Sequence, residues 1–115
     1  MTTDGSDDQD AKLVTLARSA RARTGAFEGA GVRDVDGRSY TGATVDLPTL
    51  RLSAVQVAVA AAVASGARGL EAVVVLGGSA AVGEADVSVV RDLGGAGVPV
   101  HLATPEGSIV ASVVS

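Results

Sequence analysis

Few side chains in this chain could carry out acid–base or metal chemistry. The 115 residues include one histidine, His101, and no cysteine, so neither a thiolate zinc site nor a disulfide can form. His101 alternates with Val100 and Leu102, a pattern typical of a hydrogen-bonded or edge residue in a strand. Asp46 and Asp86 are the other plausible general acids or bases. An enzyme that uses these three side chains is one function that the sequence leaves open.

Composition argues against several classes of partner. The formal net charge is −4, whereas non-specific affinity for nucleic acid depends on an excess of Lys and Arg. Phe27 and Tyr40 are the only aromatic residues, so a platform for stacking bases is absent. The longest apolar run, residues 57–64, is far shorter than the roughly 20 residues that cross a bilayer. We expect no nucleic-acid partner, no membrane partner and, since no apolar leader begins the chain, a cytoplasmic location. The abundance of Ala, Val, Gly and Arg is typical of a high-GC genome such as an actinobacterial one.

Apolar spacing divides the chain into a tail and one α/β domain. Residues 1–9 are small, polar and acidic, which predicts a flexible tail, and residues 10–115 are predicted to form a single domain. The predicted helices are residues 10–24, 52–65 and 83–93, and the predicted strands are residues 31–35, 38–43, 72–76, 98–102 and 108–114. Asp36-Gly37 suits the tight turn of a hairpin between the first two strands. The order of elements predicts a three-layer type of sandwich with a mixed five-stranded sheet.

The second predicted helix combines a strong start signal with an apolar surface. Ser53 and Gln56 fit a capping box, in which the serine hydroxyl accepts from a backbone amide and the glutamine reaches back to the helix start. The helix that follows is apolar on nearly every side. A single sheet covers only one side of such a helix. We therefore expect its other side to contact neighbouring helices or a second subunit, in a homo-dimer or homo-tetramer.

Four segments resemble motifs of the cytidine deaminase family. Residues 44–46, Thr-Val-Asp, and 53–55, Ser-Ala-Val, stand where that family has Asn-Val-Glu and Cys-Ala-Glu. Residues 36–42 are similar to its Asp-Gly-x-x-Tyr-x-Gly hairpin, and residues 99–107 to its Pro-Val-x-Leu-x-x-Pro-x-Gly segment. The resemblance runs from the first helix to the last strand, with an ambiguous alignment over residues 26–31. It implies a cytidine deaminase-like fold.

The resemblance also shows which reactive residues this chain lacks. In the family, a zinc ion held by thiolates or histidine acidifies a bound water, and a glutamate that is not a ligand moves protons. Ser53, Gly83 and Asp86 occupy the three ligand positions, the last two by spacing back from Pro99, and Val55 occupies the position of the glutamate. We therefore predict no catalytic residue, no metal and no cofactor, with helix caps in place of the metal.

The positions around the lost metal site could still form a vestigial pocket. In the family, the Asn and Glu positions resemble a clamp on the ribose hydroxyls, and here they are Thr44 and Asp46. The predicted ligand-binding set is Thr44, Asp46, Ser53, Val55, Gly83 and Asp86.

The favoured function is a non-catalytic protein of the cytidine deaminase-like fold. It would act as a homo-oligomeric scaffold or bind an unidentified protein partner. The alternatives are a nucleoside or nucleotide binding module that uses the vestigial pocket, an inactive protein that homology alone would name a cytidine deaminase, and the acid–base enzyme described above. The missing ligands argue against zinc-dependent deaminase chemistry.

Overall fold

Over residues 5–115, three helices and seven strands follow one another. The protein's structure, a computed structural model, describes the backbone of residues 5–115 and the side chains of residues 8–115. The elements are α1 (Gly5–Thr24), β1 (Glu28–Asp34), β2 (Ser39–Ala43), β3 (Val45–Asp46), β4 (Arg51–Leu52), α2 (Ala54–Ala64), β5 (Leu70–Gly77), α3 (Glu84–Gly94), β6 (Pro99–Ala103) and β7 (Ile109–Val114). The predicted order of helices and main strands is confirmed, and the short β3–β4 hairpin is an addition to it.

The first helix begins earlier than the sequence analysis predicted. α1 starts at Gly5 and not at the predicted Asp10. Asp8 lies in the first turn, where an acidic side chain is favoured by the positive end of the helix dipole. The predicted flexible tail, residues 1–9, stays a prediction, and residues 1–4 of it lie outside the described residues.

A mixed sheet forms the middle layer of the sandwich. Its five strands have the order β2-β1-β5-β6-β7, with β5 and β6 parallel and the other neighbours antiparallel. β5 is almost continuously buried, because helices cover both of its faces, and its uninterrupted apolar run is typical of such a strand. The predicted mixed five-stranded sheet is confirmed.

The helices lie on opposite faces of this sheet. Alternate strand residues pack with α2 and α3 in one cluster that includes Val32, Val73, Val75, Val100 and Leu102. The other face carries a smaller cluster in which Leu13 and Ala17 of α1 pack on Ala72, Val74 and Leu76. α2 approaches β2 so closely that a Cβ atom at Gly42 would lie 2.5 Å from the Ala54 oxygen. Glycine at this position therefore sets the distance between the helix and the sheet.

Asp34 organises the hairpin between β1 and β2. Its Oδ1 accepts hydrogen bonds from the amides of Asp36 and Arg38, both at 2.9 Å, and its Oδ2 accepts one from the Tyr40 hydroxyl at 2.9 Å. Burial alone would raise the pKa of Asp34, but these three donors outweigh it and lower that pKa below its ordinary value. Gly37 has φ of 86°, as the predicted tight turn requires.

α2 is covered on one side only. Ala54, Val55, Ala58, Val59 and Ala62 are buried. Along the opposite side Ala60, Val63 and Ala64 are exposed. α3 contacts one flank of α2. Neighbouring helices therefore supply part of the expected cover, and a bare apolar strip remains.

Over the described residues, no helix is long and apolar enough to cross a bilayer.

Candidate functional site

Ser53 caps the N-terminus of α2, as the sequence predicted. Its backbone is extended, with φ of −70° and ψ of 161°, and its hydroxyl accepts a hydrogen bond from the Gln56 amide at 3.1 Å. The Gln56 side chain accepts from the Ser53 amide at 2.8 Å, which completes the capping box. Two amides that an α-helix leaves without partners are thereby satisfied.

The Ser53 hydroxyl also joins α2 to α3. It donates a hydrogen bond to Oδ1 of Asp86 at 2.6 Å. Asp86 and Glu84 lie in the first turn of α3, where the helix dipole favours negative charge, and Gly83 is the N-cap residue without a side-chain bond. Ser53 and Asp86, two of the three residues at the predicted ligand positions, are therefore hydrogen-bonded directly to each other.

Val55 is a residue of the core. Its side chain is fully buried and belongs to the core cluster between the sheet and the helices. The position that the resemblance assigns to the proton-transferring glutamate is thus occupied by a packed core residue.

An open groove lies beside the start of α2. It encloses about 420 Å³ and is lined by Phe27, Glu28, Thr44, Val45, Asp46, Arg51, Leu52 and Ser53. Three of the six predicted pocket residues, Thr44, Asp46 and Ser53, line this groove, whereas Val55, Gly83 and Asp86 are not among its lining residues. Phe27, Glu28 and Arg51 are lining residues that the sequence analysis missed.

The polar groups in the groove already have protein partners. The Thr44 hydroxyl accepts from the Glu28 amide at 3.0 Å, which ties it to the backbone of β1. Asp46 lies 3.3 Å from Nε of Arg51, but both side chains are more than two-thirds exposed, so the pair is weak. Asp46 and Arg51 are therefore the groups most free to turn towards a ligand.

Glu28 is a nearly buried carboxylate among the lining residues of the groove. Its side chain accepts a hydrogen bond from the Ser79 hydroxyl at 2.6 Å, and the whole residue is 9% exposed. The bond links the start of β1 to the loop before α3. No local signal could predict it, because the two residues are 51 positions apart and Glu28 falls where the alignment was ambiguous.

His101 lies on the opposite face of the sheet from the groove. Its Nδ1 is 2.7 Å from the Ser112 hydroxyl, so the hydrogen-bonded alternative of the sequence analysis applies. The edge alternative does not, because β7 and not β6 is the edge strand. Its Nε2 faces Asp10 of α1 at 3.3 Å without the alignment of a hydrogen bond. Asp10 is in turn held by Arg33. His101 therefore does not share a site with Asp46 and Asp86.

Sequence comparison identifies the family. A sequence model of the cytidine deaminase-like family matches residues 6–107. The chain belongs to this family. None of the curated protein sequences matches it.

Solved cytidine deaminases share the fold of this family member. The enzyme from Burkholderia pseudomallei is 26% identical and superposes with a TM-score of 0.75 over 90% of this chain and 89% of its own. The one from Mycobacterium leprae is 23% identical, with a TM-score of 0.72 over 97% and 94% of the two chains. The one from Mycobacterium tuberculosis is 25% identical, with a TM-score of 0.66 over 79% and 80%. The cytidine deaminase-like fold expected from the sequence is therefore confirmed.

The residues at the family's zinc positions do not fit a zinc ion. The Ser53 hydroxyl is already shared between the Gln56 amide and Asp86, and a serine hydroxyl stays protonated at neutral pH. Gly83 has no side chain, so one carboxylate remains as a donor. Within residues 8–115, no group of three or more His, Cys, Asp or Glu side chains could hold a metal ion. No reaction step through zinc can therefore be derived for this chain.

Proposed function

We propose that this chain is a non-catalytic member of the cytidine deaminase-like family that acts as a homo-oligomeric scaffold. The observation that carries the proposal is the hydrogen bond from Ser53 to Asp86. It joins the starts of α2 and α3, the two helix ends to which the resemblance assigns the metal ligands. A protein bond of this kind fixes the two helix ends without any metal chemistry.

The core position of Val55 supports the same proposal. Deaminase chemistry of the zinc type needs a carboxyl group that moves protons between water and the base. A fully buried isopropyl group within the core cluster cannot do so. The nearest carboxylates to the groove are Glu28, which is bonded to Ser79, and the exposed Asp46.

The bare strip on α2 supports the scaffold role. Val63 is 55% exposed and lies among exposed alanines on the side of α2 that faces away from the sheet. Contiguous exposed apolar surface marks interaction sites in soluble proteins. A second copy that covers this strip would account for a helix that is apolar on every side.

Two measurements test the proposal together. Purified protein supplied with zinc is assayed for loss of cytidine and deoxycytidine absorbance, and its mass is measured by size-exclusion chromatography with light scattering. We expect no deamination above the rate without protein, and a mass greater than that of one chain. Deamination that Asp86→Ala abolishes would contradict the non-catalytic assignment, and a monomer at every concentration would contradict the scaffold.

A second candidate function is nucleoside binding in the groove. The observation that favours it is the open volume beside Asp46 and Arg51, whose weak ion pair leaves both groups available to hydroxyl and phosphate oxygens. Calorimetry with cytidine and with cytidine monophosphate would detect binding. The matched variants are Asp46→Ala, which should abolish the heat, and Asp36→Ala, an exposed aspartate outside the groove, which should not. Absence of heat with the unmodified chain rules this candidate out.

A further inference from the structure

β7 forms one edge of the sheet and is bare on both of its faces. All six of its residues are exposed, including Val110 at 61% and Val114 at 63%. Among the described elements, only β6 makes extensive contact with it. An edge strand presents a row of backbone amides and carbonyls without partners, and here that row is flanked by apolar side chains above and below.

The opposite edge of the same sheet is protected. β2 is contacted by α1 on one face and by α2 on the other, with the α2 backbone resting against Gly42. Charged residues surround its start, since Asp36 and Arg38 lie in the preceding turn. Soluble proteins blunt their sheet edges in these ways. The two edges of this sheet are therefore protected to different degrees.

β7 is held in place by its backbone ladder with β6 and by further hydrogen bonds at both ends. At one end the Thr104 amide donates to the Ser108 carbonyl at 2.9 Å. At the other end Ser115 is buried, and its hydroxyl accepts from the Val98 amide at 2.9 Å and donates to the Gly95 carbonyl at 2.6 Å. The outer side of the strand is therefore ordered before any partner arrives, which lowers the entropic cost of pairing.

The charge distribution favours a second copy as the partner. Each copy carries a net charge of −4, so the association of two copies is opposed least where the contact surface itself carries no charge. Residues 107–115 contain no charged side chain. A two-fold axis normal to the sheet pairs β7 antiparallel with itself and sets residues of the same face opposite each other. In any such register, the side chains that meet within this segment are apolar or hydroxyl-bearing.

We propose that β7 pairs antiparallel with β7 of a second copy and joins the two five-stranded sheets into one. The pairing satisfies the open row of backbone groups on both copies and covers part of the exposed valine surface. It is one contact of the homo-oligomer proposed above and rests on that proposal.

Lysine substitutions on the outer strand test the pairing. Val110→Lys/Val114→Lys places two positive charges on the outer strand of each copy, and the dissociation constant should rise by at least about tenfold. The matched control is Val35→Lys, because Val35 is a comparably exposed valine in the β1–β2 turn, at 51%. A third variant, Val63→Lys, probes the α2 strip. Mass is measured by light scattering over a dilution series, and circular dichroism melting shows that each variant is folded.

Each outcome separates the pairing from the broader proposal. A smaller assembly for the double variant, with the control unchanged, supports the β7 contact. If the double variant keeps the mass of the unmodified oligomer, the β7 contact is overturned while the homo-oligomer stands. If the unmodified chain is monomeric, both the β7 pairing and the homo-oligomer are overturned. This outcome includes the case in which a strand of a different protein covers β7.

Hydrogen exchange gives a test that needs no variant. Amides of β7 should become more protected as the concentration of the unmodified chain rises, while those of the exposed β1–β2 turn should not change. Protection that stays constant while light scattering reports assembly would overturn the inference.

Discussion

The hydroxyl of Ser53 lies 2.6 Å from Oδ1 of Asp86 and joins the N-termini of α2 and α3. The two residues are 33 positions apart, and each also serves its own helix, Ser53 as the cap and Asp86 as a first-turn acid. A single short bond therefore ties together two helices that pack on the same face of the sheet.

Ser53→Ala should lower the free energy of unfolding by about 2 kcal/mol, because the variant loses both the cap and a hydrogen bond to a charged group. Asp86→Ala should lower the free energy of unfolding by a smaller amount. The double variant should lower it by less than the sum of the two single effects, because the two side chains share one hydrogen bond. Urea unfolding measures all three. Ser88→Ala, an exposed serine of α3, is the control and should change stability by no more than about 0.5 kcal/mol. Strictly additive effects would show that the bond contributes nothing.

Ser53→Cys/Gly83→Cys/Asp86→Cys should bind one zinc ion per chain. Three thiolates are sufficient protein ligands for a tetrahedral site that keeps one open position. Gly83 has φ of −70°, and a Cβ atom added there would have no described atom within 4 Å, so cysteine fits. Zinc should also raise the melting temperature of this variant, since binding favours the folded state.

The zinc content is measured by a colorimetric chelator after dialysis. The unmodified chain and the single variant Ser53→Cys are the controls and should retain no stoichiometric zinc. Equal zinc in the unmodified chain and the triple variant would contradict the assignment of these three positions.

Asp34 should make stability fall at acid pH. Its pKa in the folded chain is lowered by the amides of Arg38 and Asp36 and by the Tyr40 hydroxyl, despite burial, so the unfolded chain binds more protons. The stabilisation is complete above the unfolded pKa of about 3.9 and is lost as the pH falls through the lower folded value.

Unfolding by urea from pH 6 down to pH 3 tests this dependence. Asp34→Asn should be less stable at pH 6 and should lose less stability on acidification than the unmodified chain. Asp36→Asn, at an exposed position in the same turn, should keep the original slope. An unchanged slope in Asp34→Asn would contradict the role given to this carboxylate.

Tyr40 should titrate above its ordinary pKa of 10.0. The hydrogen bond that its hydroxyl donates to Asp34 raises the pKa, and burial and the negative charge of that carboxylate raise it further. Because the neutral form is favoured in the folded chain, this contribution is complete below the unfolded pKa and is lost as the pH rises through the folded value.

Tyr40 is the only tyrosine, so the ultraviolet absorbance of tyrosinate reports it directly. The midpoint in the folded chain should lie above that in urea, and Asp34→Asn should bring the two closer together. Coincident midpoints in the unmodified chain would contradict the hydrogen bond.

Features that depend on residues close together in the sequence were predictable from it. The capping box of Ser53 and the turn at Gly37 follow from residue types within four positions, and the apolar run of β5 marks a strand covered on both faces. The β3–β4 hairpin was missed, because its two-residue strands are too short to show alternation. The apolar pattern of β7 also did not predict that this strand lies at the edge of the sheet.

The site was predictable only in part. The resemblance placed Ser53 and Asp86 at related positions, but the bond between them depends on how α2 and α3 pack. The lining residues Glu28 and Arg51 were missed for a similar reason, because β1 and the β3–β4 hairpin meet only in the folded chain. Long-range contacts of this kind leave no periodic signal in the sequence.

The packing of Val55 limits the directions in which this chain can evolve. Any single change of Val55 to glutamate would place a carboxylate in a fully buried site among aliphatic side chains, at a cost of several kcal/mol. Such a cost is comparable with the whole stability of a small domain. A variant with a carboxyl group at this position would need α2 to be repacked against the sheet, so the core itself disfavours a proton-transferring side chain there.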